Sequence, residues 1–160
     1  MMNSQELESA DELFMKKALV EARLSVVSED VPIGAVIVFK NKVIARAHNQ
    51  VELLGDPTAH AEMIAITEAS AFLKSKWLKD CTLYVTIEPC SMCAGALVLS
   101  RIFKVIYGAG DPKTGAGGSV FNILHNDKLN HRVKVKADVL KEECAILVQD
   151  FFRKQRAKDN

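Results

Sequence analysis

The stretch CTLYVTIEPCSMCAGALVLSRIFKVIY, residues 81–107, contains three successive local patterns. Its first seven residues are mostly β-branched, aromatic or aliphatic and predict a strand over Cys81–Ile87. Pro89 then favours the start of a helix, which the sequence continues to about Ser100. Phe103–Tyr107 predicts a second strand, so the segment indicates a strand–helix–strand unit of an α/β protein.

The flanking sequence supplies the remaining elements of one sheet covered by helices. Before the central unit, the apolar patterns predict helices over Asp11–Val27 and Thr58–Leu73 and a hairpin of two strands, Ile33–Phe39 and Val43–Ala47. After it they predict a glycine-rich loop over Gly108–Asn130 with a short helix at Phe121–Leu124, an edge strand over Val133–Lys136, and a last helix capped by Asp138. This order predicts a three-layer α/β/α fold on a five-stranded mixed sheet. We expect a single domain over residues 1–160, with frayed ends at 1–10 and 157–160.

The composition is that of an ordinary globular protein. Of the 160 residues, 49% are hydrophobic and 26% are charged, which excludes a disordered chain. No apolar run approaches the roughly 18 residues that a membrane span requires. The stretch Met1–Leu13 is acidic and lacks the features of a secretory signal, so we expect a cytoplasmic protein.

The charges are distributed unevenly along the chain. The formal net charge is only +1, but residues 1–100 hold 9 basic and 13 acidic side chains, while residues 101–160 hold 12 basic and 7 acidic ones. We therefore expect a polyanionic partner to contact the second part of the chain.

Four cysteines divide into two kinds. Cys81 opens the apolar strand and Cys144 lies on an apolar helical stripe, so both are expected in the core. Cys90 and Cys93 are separated by two residues at the start of a helix, which places both sulfurs on one side of its first turn. A single CxxC pair in a reducing compartment is also compatible with a redox role or with no function.

His60 and Glu62 complete a pattern that favours zinc chemistry. Zinc accepts imidazole and thiolate ligands, and the three ligands His60, Cys90 and Cys93 leave a fourth position for water. Glu62 diverges from His60 by roughly 200° on a helix, so both should not bind one ion. A carboxylate beside a zinc-activated water can instead act as a proton shuttle.

The H-x-E…P-C-x-x-C pattern is a signature of zinc-dependent nucleobase deaminases. Over about Phe14–Arg156 the chain resembles the bacterial tRNA-specific adenosine deaminases of the cytidine-deaminase-like zinc superfamily. The resemblance rests on VPIGAV (31–36), AHN (47–49), DPTAHAE (56–62), LYVTIEPCSMCAGA (83–96), GAGDPKTGA (108–116), LNHRV (129–133) and DFFR (150–153). The LNHRV and DFFR segments distinguish the tRNA enzymes from those acting on free bases.

The resemblance implies a cytidine-deaminase-like fold and a specific reaction. That reaction is hydrolytic deamination of adenosine to inosine at the wobble position of tRNA. One Zn²⁺ per chain is implied, together with an anticodon stem-loop as substrate and a homodimer as the working form. In this interpretation His60, Cys90 and Cys93 bind the metal, and Glu62 is catalytic.

The same resemblance implies substrate contacts. Asn49 would hydrogen-bond the flipped adenine, Asp111 would contact the neighbouring nucleotide backbone, and Ile33 would pack against the base. Ala59 and Glu88 would line the pocket. Without the family, the residues themselves favour Asn49 as a strand-end turn residue and Asp111 as a loop cap before Pro112.

The C-terminal segment has two interpretations. In the first, the segment binds RNA, with aromatic rings packing on bases and cations contacting phosphates. In the second, its charges only solvate the end of a helix. The residues concerned are Phe151, Phe152, Arg153, Lys154 and Arg156. No role follows for His48 or His131, and the sequence leaves open which tRNAs are substrates.

The sequence leaves two other functions open. A deaminase of guanine, cytosine or cytidine would share the metal motif but would not need a basic C-terminal part. A zinc-stabilised binding module would not explain an incomplete ligand set beside a carboxylate.

Overall fold

A computed structural model describes residues 8–160 of the protein. Residues 1–7, most of the N-terminal end for which fraying was predicted, lie outside the described residues. The elements are helix α1 (Ala10–Leu24), a 3₁₀ turn (Ser25–Ser28), strands β1 (Gly34–Phe39) and β2 (Lys42–His48), helices α2 (Val51–Leu54) and α3 (Ala61–Leu73), strand β3 (Cys81–Ile87), helix α4 (Ser91–Leu99), strands β4 (Lys104–Ala109) and β5 (Lys134–Lys136), and helix α5 (Lys141–Lys158).

The five strands form one mixed sheet in the order β2-β1-β3-β4-β5. β1 is antiparallel to both β2 and β3, whereas β3, β4 and β5 run parallel. The predicted five-stranded mixed sheet is therefore confirmed. Because β3 and β4 are parallel, their carboxyl ends at Ile87 and Ala109 lie at the same end of the sheet, together with Gly34 and His48 of the hairpin. We call this the site end.

Alternate residues of each strand pack on opposite layers of helices, as the period of a strand requires. In β1, Ala35 and Ile37 pack in a core with side chains of α3 and α4, while Val36 and Val38 pack in a second core with α1 and α5. The predicted three-layer arrangement is confirmed. No helix among residues 8–160 combines the length and apolar character needed to cross a membrane.

Both cysteines that were predicted in the core are buried there. Cys81 belongs to the first core and Cys144 to the second, and neither has any exposed surface. Burial is the main cause that raises the pKa of the Cys81 thiol to about 11 and that of Cys144 to about 12. These thiols stay protonated and unreactive at neutral pH.

The boundaries differ from the predicted ones where backbone turns intervene. The first helix ends at Leu24 because the chain tightens into the 3₁₀ turn, which stops at Glu29 in a left-handed conformation with φ 59°. The short helix predicted at Phe121–Leu124 is absent, since this segment forms turns and an isolated bridge. The cap of the last helix is Leu140 and not Asp138, so that prediction is wrong.

Candidate active site

Two helix starts bring three metal-ligand side chains together at the site end. His60 is the residue immediately before α3, Cys90 the residue before α4, and Cys93 lies in the first turn of α4. His60 Nδ1 is 3.6 Å from Cys90 Sγ and 3.5 Å from Cys93 Sγ. In a tetrahedral zinc site, Zn–S bonds of about 2.3 Å and Zn–N bonds of about 2.0 Å separate sulfur and nitrogen by about 3.6 Å. The donor set and its spacing fit zinc.

The electrostatics of the cluster favour negative charge on sulfur. The hydrogen bond with the Cys93 thiol, together with His60, lowers the pKa of Cys90 to about 4 despite burial. The same bond and burial raise the pKa of Cys93. The bond with Cys90 raises the pKa of His60. Cys90 is therefore a thiolate at neutral pH, which is the form that binds zinc.

Glu62 lies beside this cluster but outside the group of ligand atoms. The metal-ligand group found among residues 8–160 comprises His60, Cys90 and Cys93, whose donor atoms lie within 4.8 Å of one another. Glu62 is in the first turn of α3 and only 4% exposed. Burial raises the pKa of its carboxyl, and His60 partly opposes this. A carboxyl with a raised pKa can accept and release a proton near neutral pH.

His60, Glu62 and Cys90 line a small chamber that shares its wall with a wider groove. The chamber has a volume of about 80 Å³ and is lined by Ile33, Asn49, His60, Ala61, Glu62, Ile87, Glu88, Cys90, Asp111 and Thr114. Ile33, Asn49, His60, Ile87 and Asp111 also line the groove of about 700 Å³. Ala59, predicted as a pocket residue, is buried and lines neither; its backbone bonds to Gln50 and Asp56.

Asn49 leaves one buried polar atom in the chamber wall without a partner. Its side-chain amide donates to the backbone carbonyl of Val31 at 3.2 Å. Its Oδ1 is buried and accepts no hydrogen bond from the described part of the chain. An unpaired buried acceptor costs about 1–3 kcal/mol, so a ligand that donates to it would gain affinity.

Asp111 lines both cavities and also organises its own loop. Its carboxylate accepts from the backbone N–H of Lys113 at 2.9 Å, and from the backbone N–H of Thr114 at 3.2 Å and its hydroxyl at 2.7 Å. Burial raises the pKa of Asp111, but these bonds outweigh it and leave the pKa below its usual value. The loop-cap interpretation of Asp111 thus describes real contacts.

Glu88 holds the glycine-rich loop against the start of α4. Its carboxylate is 3% exposed and accepts from the backbone N–H groups of Asp111 at 3.1 Å, Gly117 at 2.9 Å and Ser119 at 3.1 Å, and from the Ser119 hydroxyl. A Cβ at Gly115 would lie 2.3 Å from Glu88 Oε2, so only glycine fits. Both carboxylate oxygens are engaged by the loop.

Sequence reasoning missed Asp30, which lines the groove. Asp30 is 1% exposed, and its carboxylate accepts from the Ser28 hydroxyl and the Glu52 N–H, both at 2.6 Å, and from the Leu53 N–H at 3.2 Å. It thereby anchors the short helix that follows Asn49. No local pattern marks it, because the two backbone N–H groups that it binds, those of Glu52 and Leu53, are more than twenty residues away.

The groove wall is acidic on one side and aromatic on the other. Glu29, Asp30, Glu52 and Asp111 line it together with Phe151 and Phe152 of α5, whose rings meet edge to face at 5.3 Å. Such a wall suits stacking and base-edge hydrogen bonds better than phosphate.

Among the predicted basic contacts, Arg156 lies in an adjoining depression with Lys113 and Phe152. Arg153 pairs with Asp150 at 2.6 Å, and neither Arg153 nor Lys154 lines the groove.

Comparisons with known proteins agree with this geometry. A family profile described as MafB19-like deaminase matches residues 9–156. A tRNA-specific adenosine deaminase of Aquifex aeolicus (strain VF5) is 54% identical over 145 residues, covering 91% of this chain and 95% of the relative. Its counterpart in Bacillus subtilis (strain 168) is 49% identical over 148 residues, 92% of each chain. A solved structure from a study of A-to-I editing by tRNA deaminases at the wobble position is 42% identical with a TM-score of 0.81, covering 84% of this chain and 98% of that one.

Proposed function

The chain belongs to the family of tRNA-specific adenosine deaminases, and from that premise we propose how its residues convert adenosine to inosine at the wobble position of a tRNA anticodon. The observation that carries the proposal is the three-ligand group of His60, Cys90 and Cys93 beside the buried carboxyl of Glu62. An incomplete ligand set next to a proton-transfer group is the arrangement that hydrolytic deamination needs.

We propose that His60, Cys90 and Cys93 hold one Zn²⁺ per chain. When bound, the zinc would supply an activated water as the nucleophile, because it lowers the pKa of that water toward about 7. Cys90 is predisposed to this role by its lowered pKa.

Glu62 moves the protons of the reaction. It takes one from the attacking water and delivers it to N1 of the adenine while oxygen bonds to C6. It then carries the proton of the new C6 hydroxyl to the exocyclic amino group. The C6–N bond breaks as the C6 carbonyl forms, and adenosine and water become inosine and ammonia. Burial of Glu62 supports this role because it raises the pKa of the carboxyl above its usual value and so favours proton uptake.

Asn49 and Ile33 position the extruded base. The free Oδ1 of Asn49 accepts a hydrogen bond from the base edge, and the Ile33 side chain in the shared wall packs against the ring face. A flipped base is generally recognised by this combination of edge hydrogen bonds and apolar contacts.

Asn49→Ala should lower kcat/KM by about 10- to 100-fold, because a lost buried hydrogen bond costs about 1–3 kcal/mol. The loss should be similar for an anticodon stem-loop, its deoxy counterpart and free adenosine. Asp111→Asn should change discrimination between the ribose and deoxyribose loops more than the chemical step. Single-turnover deamination of the three substrates measures both effects. A loss for Asn49→Ala confined to the stem-loop would show that Asn49 does not contact the base.

Glu88 is proposed as a positioning residue that fixes the loop carrying Asp111 and Thr114. The substitution Glu88→Gln keeps the size of the side chain. It places an amide N–H donor against loop N–H groups that also donate, so hydrogen bonds are lost. At a temperature where the variant is fully folded, we expect KM for the stem-loop to rise at least about tenfold and kcat to change less.

Tyr84→Phe is the matched control for Glu88→Gln. It removes the 2.8 Å hydrogen bond from Tyr84 to Asp11 in the second core, away from the loop. The control should lower the melting temperature without changing KM. Equal KM values for Glu88→Gln and wild type would show that the Glu88 bonds only stabilise the fold.

The C-terminal helix contributes the RNA surface beside the chamber. Phe151 and Phe152 line the groove and would pack on the bases that flank the target adenosine. Arg156, with Lys113 across the adjoining depression, would contact a phosphate. Arg153 and Lys154 would add charge near the RNA.

We also propose a homodimer in the cytoplasm, the whole chain acting as one deaminase domain. Helix α4 contains no charged residue, yet its Leu99 is 74% exposed and a Cβ at Gly95 would meet open space. This exposed apolar surface of α4 supports a second copy as its partner.

A further inference from the structure

At the end of the sheet opposite the chamber, the turns and strand ends lie close to one another. Phe39 is paired with Lys42 and Cys81, and Lys104 is paired with Thr82 and Lys134. The end of β1 and the starts of β2, β3, β4 and β5 are therefore neighbours. We call the segments 39–42, 74–81, 101–104 and residue 134 the far end.

The far end concentrates positive charge with little counter-charge. Its segments hold one carboxylate, Asp80, and eight cations: Lys40, Lys42, Lys74, Lys76, Lys79, Arg101, Lys104 and Lys134. Over residues 8–160, none of these eight lies within 4 Å of a carboxylate oxygen. Ion pairs do form elsewhere, for example between Lys136 and Asp11 and between Lys158 and Glu29. The charge of the far end is therefore free to meet an external anion.

Aromatic rings order these cations. Lys76 lies 4.7 Å and Arg101 5.5 Å from the ring centre of Trp77, Lys40 lies 5.1 Å from that of Phe39, and Lys134 lies 4.8 Å from that of Phe103. All cation–π pairs found among the described residues are at this end. A depression of about 370 Å³, lined in part by Phe39, Trp77, Lys79 and Asp80, lies beside two of these rings. Rings interleaved with cations are typical of surfaces that bind nucleic acid.

The dimensions suit an extended polyanion. Five strands spaced by about 4.8 Å make the far end about 19 Å wide. The seven residues of β3, at about 3.3 Å each, place it about 20 Å from the chamber. The groove at the chamber is acidic, so phosphates are not attracted there. The unpaired positive charge at the far end offers a place for them.

We propose that the far end binds the sugar–phosphate backbone of the tRNA outside its anticodon loop. This inference rests on the proposed function, because it assigns a second contact to the same substrate. A backbone contact positions the RNA and adds affinity without reading its sequence.

The test compares two variants of equal net charge. The far-end variant combines Lys40→Gln, Lys76→Gln, Lys79→Gln and Lys134→Gln. The control combines Lys16→Gln, Lys17→Gln, Arg23→Gln and Lys141→Gln, on α1 and at the start of α5. Binding of full-length tRNA is measured over a salt series, and kcat/KM is measured for full-length tRNA and for a minimal anticodon stem-loop.

For the far-end variant, the slope of log K against log salt should weaken by about 0.7 to 0.9 for each lost phosphate contact. Its kcat/KM for full-length tRNA should fall at least about tenfold at low salt, while kcat/KM for the stem-loop stays that of wild type. The control should match wild type in all three measurements.

Equal losses in the far-end and control variants, or a far-end variant that binds full-length tRNA as wild type does, would overturn the proposal. Weaker binding to anionic lipid vesicles with unchanged tRNA binding would also overturn it, in favour of a membrane surface. Failure of the wild-type protein to deaminate either RNA would contradict the proposed function, and the tRNA salt series would still decide the far end.

Discussion

Glu62→Ala is expected to abolish most deamination while the protein keeps its fold and its zinc. A general acid–base group contributes about 10²–10⁴-fold to rate, and Glu62 serves more than one proton transfer here, so the loss should reach or exceed that range. The metal should remain because Glu62 lies outside the ligand group of His60, Cys90 and Cys93. Single-turnover rates on an anticodon stem-loop, with elemental analysis of the same samples, measure both quantities.

Glu62→Gln is the control for the shape of the chamber. Glutamine is nearly isosteric with glutamate and removes only the ability to exchange protons. It should be as inactive as Glu62→Ala with zinc retained. Normal turnover by either variant with zinc in place would refute the proposed proton path. Loss of zinc from both would make Glu62 a part of the metal site.

Cys93→Ala is expected to lose both the metal and the reaction. Cys93 supplies one of three sulfur or nitrogen donors, and its Sγ is 3.5 Å from His60 Nδ1. Two donors do not form a stable zinc site, so zinc should fall from about one ion per chain to well below that. Turnover should fall at least as far as in Glu62→Ala.

Cys144→Ala is the matched control for this loss. Cys144 is another fully buried thiol, but it lies on α5 in the second core and outside the ligand group. It should keep its zinc and its rate and lose only some stability. Full metal and full rate in Cys93→Ala would contradict the assignment of the ligands.

The fold was predictable where the sequence has a strong period. The 81–107 stretch has β-branched and aromatic residues at Cys81–Ile87 and an apolar helix after Pro89, and the structure has β3 and α4 there. The ends of helices were not predictable where a residue in the left-handed conformation sets them. Glu29, Asp138 and Leu140 all have positive φ although none is glycine, and tertiary packing decides such positions.

The grouping of the candidate metal ligands was predictable because both the residue types and their spacing in the motif are typical of zinc sites. His60, Cys90 and Cys93 lie within zinc-binding distance, as the motif indicated. The roles of the buried carboxylates Glu88 and Asp30 were not apparent. The backbone N–H groups that they bind, in the glycine-rich loop for Glu88 and in α2 for Asp30, are more than twenty residues away. No periodic pattern indicates such contacts.

Charge along the chain gave an incomplete view of the proposed RNA surface. The sequence places the positive excess after residue 100, yet Lys40, Lys42, Lys74, Lys76 and Lys79 of the far end come from the acidic first part. The fold brings them beside Arg101 and Lys134 through strand pairing. A sum over chain segments cannot detect a cluster that only the sheet assembles.

The most direct test of the function is a competition among substrates for the wild-type, zinc-loaded protein. An anticodon stem-loop with adenosine at its first anticodon base is offered beside the same loop with adenosine moved to another position, and beside free adenosine, cytosine and guanine. Mass spectrometry follows inosine and the free-base products. The account predicts inosine at the first anticodon position, formed faster than any other product. Faster turnover of free cytosine or guanine than of the stem-loop would contradict it.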